Sequence, residues 1–431
     1  MTITLVLFGL LFLMLAINVP VGFAVGLSAV GALLCLPRIN LEVLVTRMFS
    51  GVDSFLIVSI LLFLLLGEIM EQARITDRLV QFAESLVGRW RGGLVHTAIV
   101  TNMIMSGISG SGAADAAATG VTLIPAMKKA GYSGPFAAAI IGAASTIGPV
   151  IPPSILMVVY ASIAGVSVGR MFLAGIVPGI LMGVALMLFT AVHVRGKNYS
   201  GPAARQSTVS VRVATWRAVP VLLAPAIVIA GIIGGAFTST ESAAIACLYA
   251  LLLGMILYRT VRVRDLGGIL RRTAETSAKV MFIIATASVF AWILARAGVP
   301  DQIASLPFFA PDAPPWVILL ALNIILVLLG APMDSLPVML IITPMILPVA
   351  AHAGIDPVHL GIIMTVNLSL GLVSPPFGTS LFVLTGIAKC SLVEFSLAVW
   401  KPLLVLLVVL QLVTQFPQLS LWLPGILMGK G

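Results

Sequence analysis

The stretch Ser106-Gly107-Ile108-Ser109-Gly110-Ser111-Gly112-Ala113-Ala114-Asp115 joins two apolar arms, residues 93–105 and 113–126. Gly and Ser at this density neither favour helix nor resemble hydrocarbon, because glycine loses backbone entropy and hydroxyls compete for backbone hydrogen bonds. The outgoing arm runs to Lys128 and Lys129, so both arms can return to one face of a membrane. The pattern predicts a re-entrant hairpin over residues 93–127 with the Gly/Ser run at its tip.

The rest of the chain fits a membrane setting. Of 431 residues, 60% are hydrophobic and 9% charged, with a mean hydropathy of +1.16. Soluble domains carry about 25% charged residues. The chain therefore reads as one integral membrane domain in a lipid bilayer. The net charge of +9 would suit nucleic acid, but the basic residues sit in short loops beside apolar segments, where topology explains them. No nucleic-acid partner is expected. Cys35, Cys247 and Cys390 lack metal-ligand spacing and read as small apolar packers. The first apolar segment has no positive leading region and a second follows at once, so it reads as a retained span rather than a signal peptide.

Segments near the length that crosses hydrocarbon, about 20 residues, fall at 2–17, 21–36 and 53–70, with Asn18-Val19-Pro20 breaking the first pair. Residues 72–92 set Arg74, Arg78, Arg89 and Arg91 among Leu79, Val80, Phe82, Leu86 and Trp90, the spacing of an interfacial arm. After the hairpin, Gly148-Pro149-Val150-Ile151-Pro152-Pro153-Ser154 interrupts an apolar segment. Proline lacks an amide hydrogen and disfavours helix in the residue before it, so 135–169 is a broken span, and 171–194 closes the first half. The polar loop 195–217 and the segment 259–272 hold ten of the 24 Lys and Arg and flank spans at 218–236 and 242–258. Equal positive flanks put both in the cytoplasm. A span at 274–295 and a Pro-rich connection with Asp301 and Asp312 follow. A second hairpin, 316–349, breaks at Gly330-Ala331-Pro332-Met333-Asp334-Ser335-Leu336-Pro337. A second broken span, 357–388, turns at Val373-Ser374-Pro375-Pro376-Phe377-Gly378-Thr379, and 395–412 is the last span.

With an offset of 223 residues, Pro125 falls on Pro348, Ala130 on Ala353, Gly131 on Gly354, Ile140 on Ile363, Gly148 on Gly371, and Pro152-Pro153 on Pro375-Pro376. Residues 1–194 and 218–431 thus read as two repeats, each with three spans, a hairpin, a broken span and a span. That is five crossings per half, and an odd number makes the second repeat enter from the opposite side. The expected fold is an all-α polytopic membrane protein, an inverted repeat with two re-entrant hairpins and two broken helices. A cytoplasmic loop at 195–217 places both termini outside and puts Lys128-Lys129 and the 72–92 arm inside, where their charges also belong.

Non-helical chain at membrane depth survives only where protein, water or an ion satisfies it. Ser106, Ser109 and Ser111, facing Ser145, Thr146 and Gly148, offer hydroxyl and carbonyl oxygens of the kind that suits sodium. The matching set is Gly330, Met333 and Asp334 facing Asn367, Ser369 and Gly371. Helix starts after each tip direct positive dipole ends toward an anionic substrate. Its candidate contacts are Gly110, Gly112, Pro152, Pro153 and Ser154 in one half, and Ser335, Ser374, Pro375, Pro376 and Thr379 in the other. Plainer roles compete: Asp115 can simply favour the helix dipole, Asp334 can cap a half-helix, Glu241 can cap the helix it starts, and Glu68 and Glu71 can reach water. No catalytic set stands out. Gly107-Ile108-Ser109-Gly110 matches a GxSG nucleophile pattern of an intramembrane serine protease, but a nucleophilic serine needs a base, and none of His96, His193, His352 and His359 is placed to serve. A channel would need a continuous pore around a symmetry axis, which inverted halves do not suggest.

With these features placed, the chain resembles the large membrane subunit of tripartite ATP-independent periplasmic (TRAP) transporters, the DctM-like family of the ion transporter superfamily. The likeness covers essentially the whole chain and is most specific at 106–115, at 148–154 followed by 160–178, at 374–379, and at Asn18-Val19-Pro20-Val21-Gly22. The resemblance implies an elevator-type transporter of the bacterial inner membrane, with a transport domain of hairpins and broken spans sliding against a scaffold. It further implies sodium as coupling ion and an organic acid such as a C4-dicarboxylate or a sialic acid as substrate. The implied partners are an extracytoplasmic solute-binding protein (DctP-like) and a separate small four-helix membrane subunit (DctQ-like). The neighbouring alternative is a stand-alone sodium/carboxylate symporter or antiporter of the same superfamily.

Overall fold

A chain that must satisfy its backbone without water folds as helix, and this computed structural model has twenty α-helices and no strand among the residues it describes. Those residues are 2–35, 41–73, 75–195, 210–309 and 313–429; Arg74, Asp312 and most of the polar loop 195–217 lie outside them. The first half comprises α1 (Thr2–Ala16), α2 (Val21–Leu34), α3 (Glu42–Val52), α4 (Phe55–Gln72), α5 (Ile75–Val87), α6 (Gly93–Ser109), α7 (Gly112–Lys129), α8 (Gly134–Ser145), α9 (Ile155–Ala164) and α10 (Val168–His193). The second comprises α11 (Val211–Ile233), α12 (Ser239–Leu252), α13 (Val263–Arg296), α14 (Val299–Ala304), α15 (Pro315–Gly330), α16 (Ser335–His352), α17 (Pro357–Gly371), α18 (Thr379–Ala388), α19 (Leu392–Gln415) and α20 (Gln418–Leu427). Seven of the described helices are long and apolar enough to cross a membrane.

The offset that aligns the prolines also aligns the helices. It carries α7 onto α16 end to end, and α6, α8, α9 and α10 onto α15, α17, α18 and α19 to within a few residues. The two hairpins are α6–α7 and α15–α16, and the two broken spans are α8–α9 and α17–α18. Both Pro-Pro bonds, Pro152-Pro153 and Pro375-Pro376, are cis.

Several boundaries differ from the sequence expectation. The segment 259–272, expected as a loop before a span at 274–295, is mostly helix, because α13 runs unbroken for 34 residues. At a rise of about 1.5 Å per residue it measures about 51 Å, well beyond a hydrocarbon layer of about 30 Å. At its charged front the Asp265 carboxylate accepts from the Arg262 amide at 2.8 Å, and Arg271 and Glu275 form an exposed i,i+4 pair at 3.6 Å. The first-half counterpart is cut at Asp53-Ser54 into α3 and α4, so an amphipathic helix precedes the span expected at 53–70. Two short helices, α14 and α20, were also not expected. The arm expected over 72–92 is α5 alone, with Ile75, Leu79, Val80, Ala83 and Val87 buried and Arg78 stacked 3.8 Å over the Tyr258 ring. Cys247 is buried, but Cys35 at the end of α2 is exposed, so it is no packing residue.

The halves interlock around their breaks. Lys128 Nζ donates to the Ala388 carbonyl at 3.0 Å, tying the end of α7 to the end of α18. The buried Tyr160 hydroxyl donates to the Pro357 carbonyl, joining α9 to α17. Gly371 packs directly on Gly330, so that any Cβ there would collide with the Gly330 carbonyl. Gly371→Ala should therefore cost about 1–3 kcal/mol and lower the thermal unfolding midpoint in detergent. Exposed Gly267, in α13 with nothing within 4 Å of a Cβ position, should give the opposite result as Ala, a gain of about 0.5–1 kcal/mol.

Candidate cation and substrate sites

In the first half the hairpin tip is pressed onto the knot of the broken span. Gly110 closes α6 in the left-handed conformation, φ +59°, which lets the chain reverse at once into α7. A Cβ on Gly110 would lie 2.7 Å from the Pro153 carbonyl, one on Gly112 would lie 2.7 Å from the Ser145 carbonyl, and one on Gly148 would lie 2.8 Å from Asp115 Oδ2. Glycine is required at all three places because backbone packs on backbone. Ser111 caps α7 and Ser154 caps α9. Pro152, Pro153 and Ser154 are buried, so the substrate candidates of this half are engaged in holding tip to knot.

The hydroxyls share one geometry. Ser106 donates to the Asn102 carbonyl at 2.6 Å, Ser145 to Gly142 at 2.8 Å and Thr146 to Ala143 at 2.7 Å. Each spends its hydrogen within its own helix and keeps lone pairs for another partner. Ser109 Oγ donates to Asp115 Oδ1 at 2.6 Å. Asp115 is fully buried and its Oδ2 accepts no hydrogen bond, so it does more than favour a helix dipole. The partner of Ser109 Oγ is the Asp115 carboxylate and not an imidazole.

The second half repeats the arrangement with different chemistry. Ser335 donates to the Leu368 carbonyl at 2.9 Å, Ser369 to Val366 at 2.7 Å and Ser374 to Leu370 at 2.9 Å. Asp334 is exposed and caps α16 through Ser335 N at 2.8 Å; Met333 beside it is buried. Asn367 Nδ2 donates to both the carbonyl and the Oδ1 of Asn323, at 3.0 and 2.9 Å. Both partners are acceptors, so the amide nitrogen must face them and the oxygen turns away, buried and unpartnered. Asn323 is itself held by Thr414 at 2.9 Å. The second knot is more open than the first: Pro376, Phe377 and Thr379 are exposed and Pro375 is half-buried. Glu241 closes a capping box with Thr238.

No motif marks Asn323 or Thr414, although a mid-helix Asn in an apolar run is itself a signal. The spaces beside the hairpins likewise have no local pattern in the sequence. A cavity of about 260 Å³ lies between α4, α5 and the first tip, bordered by Glu68, Glu71, Thr76, Ser109, Ser111 and Asp115. Glu68 pairs with Arg272 at 2.8 Å. A second cavity, about 340 Å³, is bordered by Ser50, Ser54, Ser162, Ser288, Leu340 and Pro344. The repeat carries Leu64 and Glu68 of the first cavity onto Ala287 and Ala291 of the second. They are partial counterparts; both carry hydroxyls, and only the first has carboxylates in its lining.

A family model described as the DctM component of tripartite ATP-independent periplasmic transporters matches residues 8–419. The sialic acid TRAP transporter large permease protein SiaM of Vibrio cholerae is 37% identical over 99% of both chains. The C4-dicarboxylate TRAP transporter large permease protein DctM of Rhodobacter capsulatus is 33% identical over 98% of this chain and 99% of its own. The crystal structure of the Alcanivorax borkumensis YdaH transporter superposes with a TM-score of 0.62 at 15% identity, covering 86% of each chain. That of Neisseria gonorrhoeae MtrF gives 0.62 at 11% identity, covering 87% of this chain and 83% of its own; at such identities the two speak to fold alone. Family model and relatives together place this chain in the DctM family, the large multi-pass membrane components of TRAP transporters.

Proposed function

We propose that the chain is the large permease subunit of a sodium-coupled, binding-protein-dependent transporter that imports an organic acid across a bacterial inner membrane. The observation that carries this reading is the pair of tip–knot junctions, each with one buried oxygen that no donor among the described residues reaches, Asp115 Oδ2 and Asn367 Oδ1. Around each stand hydroxyls that have already donated their hydrogens. Such a set can only accept, which suits a hard cation. The first site would be built from Ser106, Ser109, Ser111, Ser145, Thr146 and Gly148, with Asp115 added to the sequence-based set. The second would use Gly330, Met333, Asp334, Asn367, Ser369 and Gly371.

The carboxylate class of substrate is supported by the relatives, whose names give sialic acid, C4-dicarboxylates and 2,3-diketo-L-gulonate. Ser335, Ser374, Pro375, Pro376 and Thr379 remain its proposed contacts in the second half, where the knot is open. An elevator movement is supported by the interlocking of hairpins and broken spans into one body and by the two counterpart cavities that flank it. The partners in this reading are a small four-helix membrane subunit and a soluble binding protein on the periplasmic side, where both termini of the chain would also lie.

Uptake of radiolabelled organic acid into proteoliposomes holding the large and small subunits tests the reading. Sodium should be required, and the binding protein should raise uptake well above that of the membrane subunits alone; equal uptake by the large chain alone would favour a stand-alone symporter. Ser109→Ala and Ser106→Ala should raise the sodium concentration for half-maximal uptake roughly 10- to 100-fold. Asn323→Ala contacts no proposed ion but releases the Asn367 amide, and should raise it about tenfold. Unchanged sodium dependence in all three would remove the ion assignment and leave the fold standing.

A further inference from the structure

At the foot of the first hairpin the turn Trp90-Arg91-Gly92 meets the end of α10, leaving a cleft of about 420 Å³. Trp90, Arg91, Val184, Leu188 and Arg195 border it. Arg91 and Arg195 are exposed, and neither pairs with a carboxylate among the described residues. The rest of the wall is mostly apolar, from Val184, Met187, Leu188 and Ala191, with the His96 ring beside Trp90. Val184 and Leu188 follow at four-residue spacing on α10, 42% and 64% exposed, and Val192 at 69% extends the stripe. Trp90 is 55% exposed and packs edge-on against the buried His96 ring at 5.5 Å. The helix that begins between Arg91 and His96, α6, has no side-chain cap at its start, so the positive end of its dipole adds to the two guanidinium charges.

The repeat shows that this is no by-product of the fold. Trp90, Arg91 and Arg195 correspond to Ala313, Pro314 and Gln418, which carry no charge. The matching end of the second half has neither the arginines nor the tryptophan.

Two unpaired arginines ask for an anion, and guanidinium binds phosphate through two parallel hydrogen bonds. An exposed aliphatic stripe on a membrane helix asks for hydrocarbon. A free phosphate would leave the stripe unused, and a zwitterionic lipid would bring its own cation to two others. Trp at the junction of apolar and polar surface is the residue that favours the headgroup level. We propose that the cleft binds one anionic phospholipid, its phosphate between Arg91 and Arg195 and an acyl chain along Val184 and Leu188. Such a lipid bridges the start of α6 and the end of α10.

The test is native mass spectrometry of protein released from vesicles of equal phosphatidylglycerol and phosphatidylcholine. Wild-type protein should retain phosphatidylglycerol in preference. The R91Q/R195Q variant should lose retention by roughly 10- to 30-fold, since each basic residue near an anionic surface contributes about a factor of five. R91K/R195K should keep most of it. Thermal unfolding in phosphatidylcholine alone should be the same for all three, which shows an intact fold. If R91Q/R195Q does not fold, R195Q alone and displacement of fluorescent phosphatidylglycerol from wild-type protein decide. Unlabelled phosphatidylglycerol should displace it and inorganic phosphate should not. Equal retention of both lipids by the wild type, unchanged retention after charge removal, or displacement by inorganic phosphate would overturn the proposal.

Discussion

A backbone amide or carbonyl left without a partner in hydrocarbon costs several kcal/mol, and each irregular stretch beside the hairpins answers to that cost. A tip of glycines and serines has carbonyls to satisfy and no side chains to satisfy them with. The solution is contact between two interruptions. Tip and knot meet so closely that Gly110, Gly112 and Gly148 in one half, and Gly371 against Gly330 in the other, leave no room for a Cβ. Neither interruption could exist alone at that depth, which is why hairpin and broken span occur as a pair and why the pair occurs twice.

The same constraint shapes the chemistry left over. In a crowded, dry junction a serine or threonine first satisfies its own hydrogen, and the nearest acceptor is the carbonyl three or four residues back. Ser106, Ser145, Thr146 and Ser369 all do so. What remains is a collar of lone pairs that offers no donor to a water oxygen and suits a small cation. The collar thus follows from the breaks and needs no separate design.

Because the breaks rest on glycine and proline, they were legible in the sequence, where these residues recur at a fixed offset and can be counted. The ends of α7 and α16 coincide under that offset. Features that rest on tertiary contact were not legible. The amphipathic α3 and short α14 and α20 have no length or cap that separates them from loop, since packing supplies most of the stability of a short helix. Residues 259–272 read as a charged flank because charge density reports which side of the membrane a segment lies on, and says little about whether the helix continues through it; Asp265 accepting from the Arg262 amide marks where α13 starts. At the sites, the candidate residues were found by type, but Asp115 was weighed as a dipole partner because only the fold brings Ser109 to one of its oxygens and buries the other. Asn323 and Thr414 lie 91 residues apart, beyond any local pattern.

The two junctions share a backbone and differ in their orphan acceptor. Asp115 corresponds to Val338, and Asn367 corresponds to Ala144, so each half has placed its free oxygen on a different helix and with a different charge. A buried carboxylate without a counter-ion is costly in a medium of low dielectric; a buried amide oxygen costs far less. Under the proposed function this difference has a direction. An ion at the first site would compensate the fully buried Asp115 carboxylate, whereas the carboxylate of the second site, Asp334, is exposed and stays solvated when that site is empty. On that proposal one repeated backbone would hold its two ions for different reasons, the first to compensate a buried charge and the second to complete a set of acceptors that already reaches water.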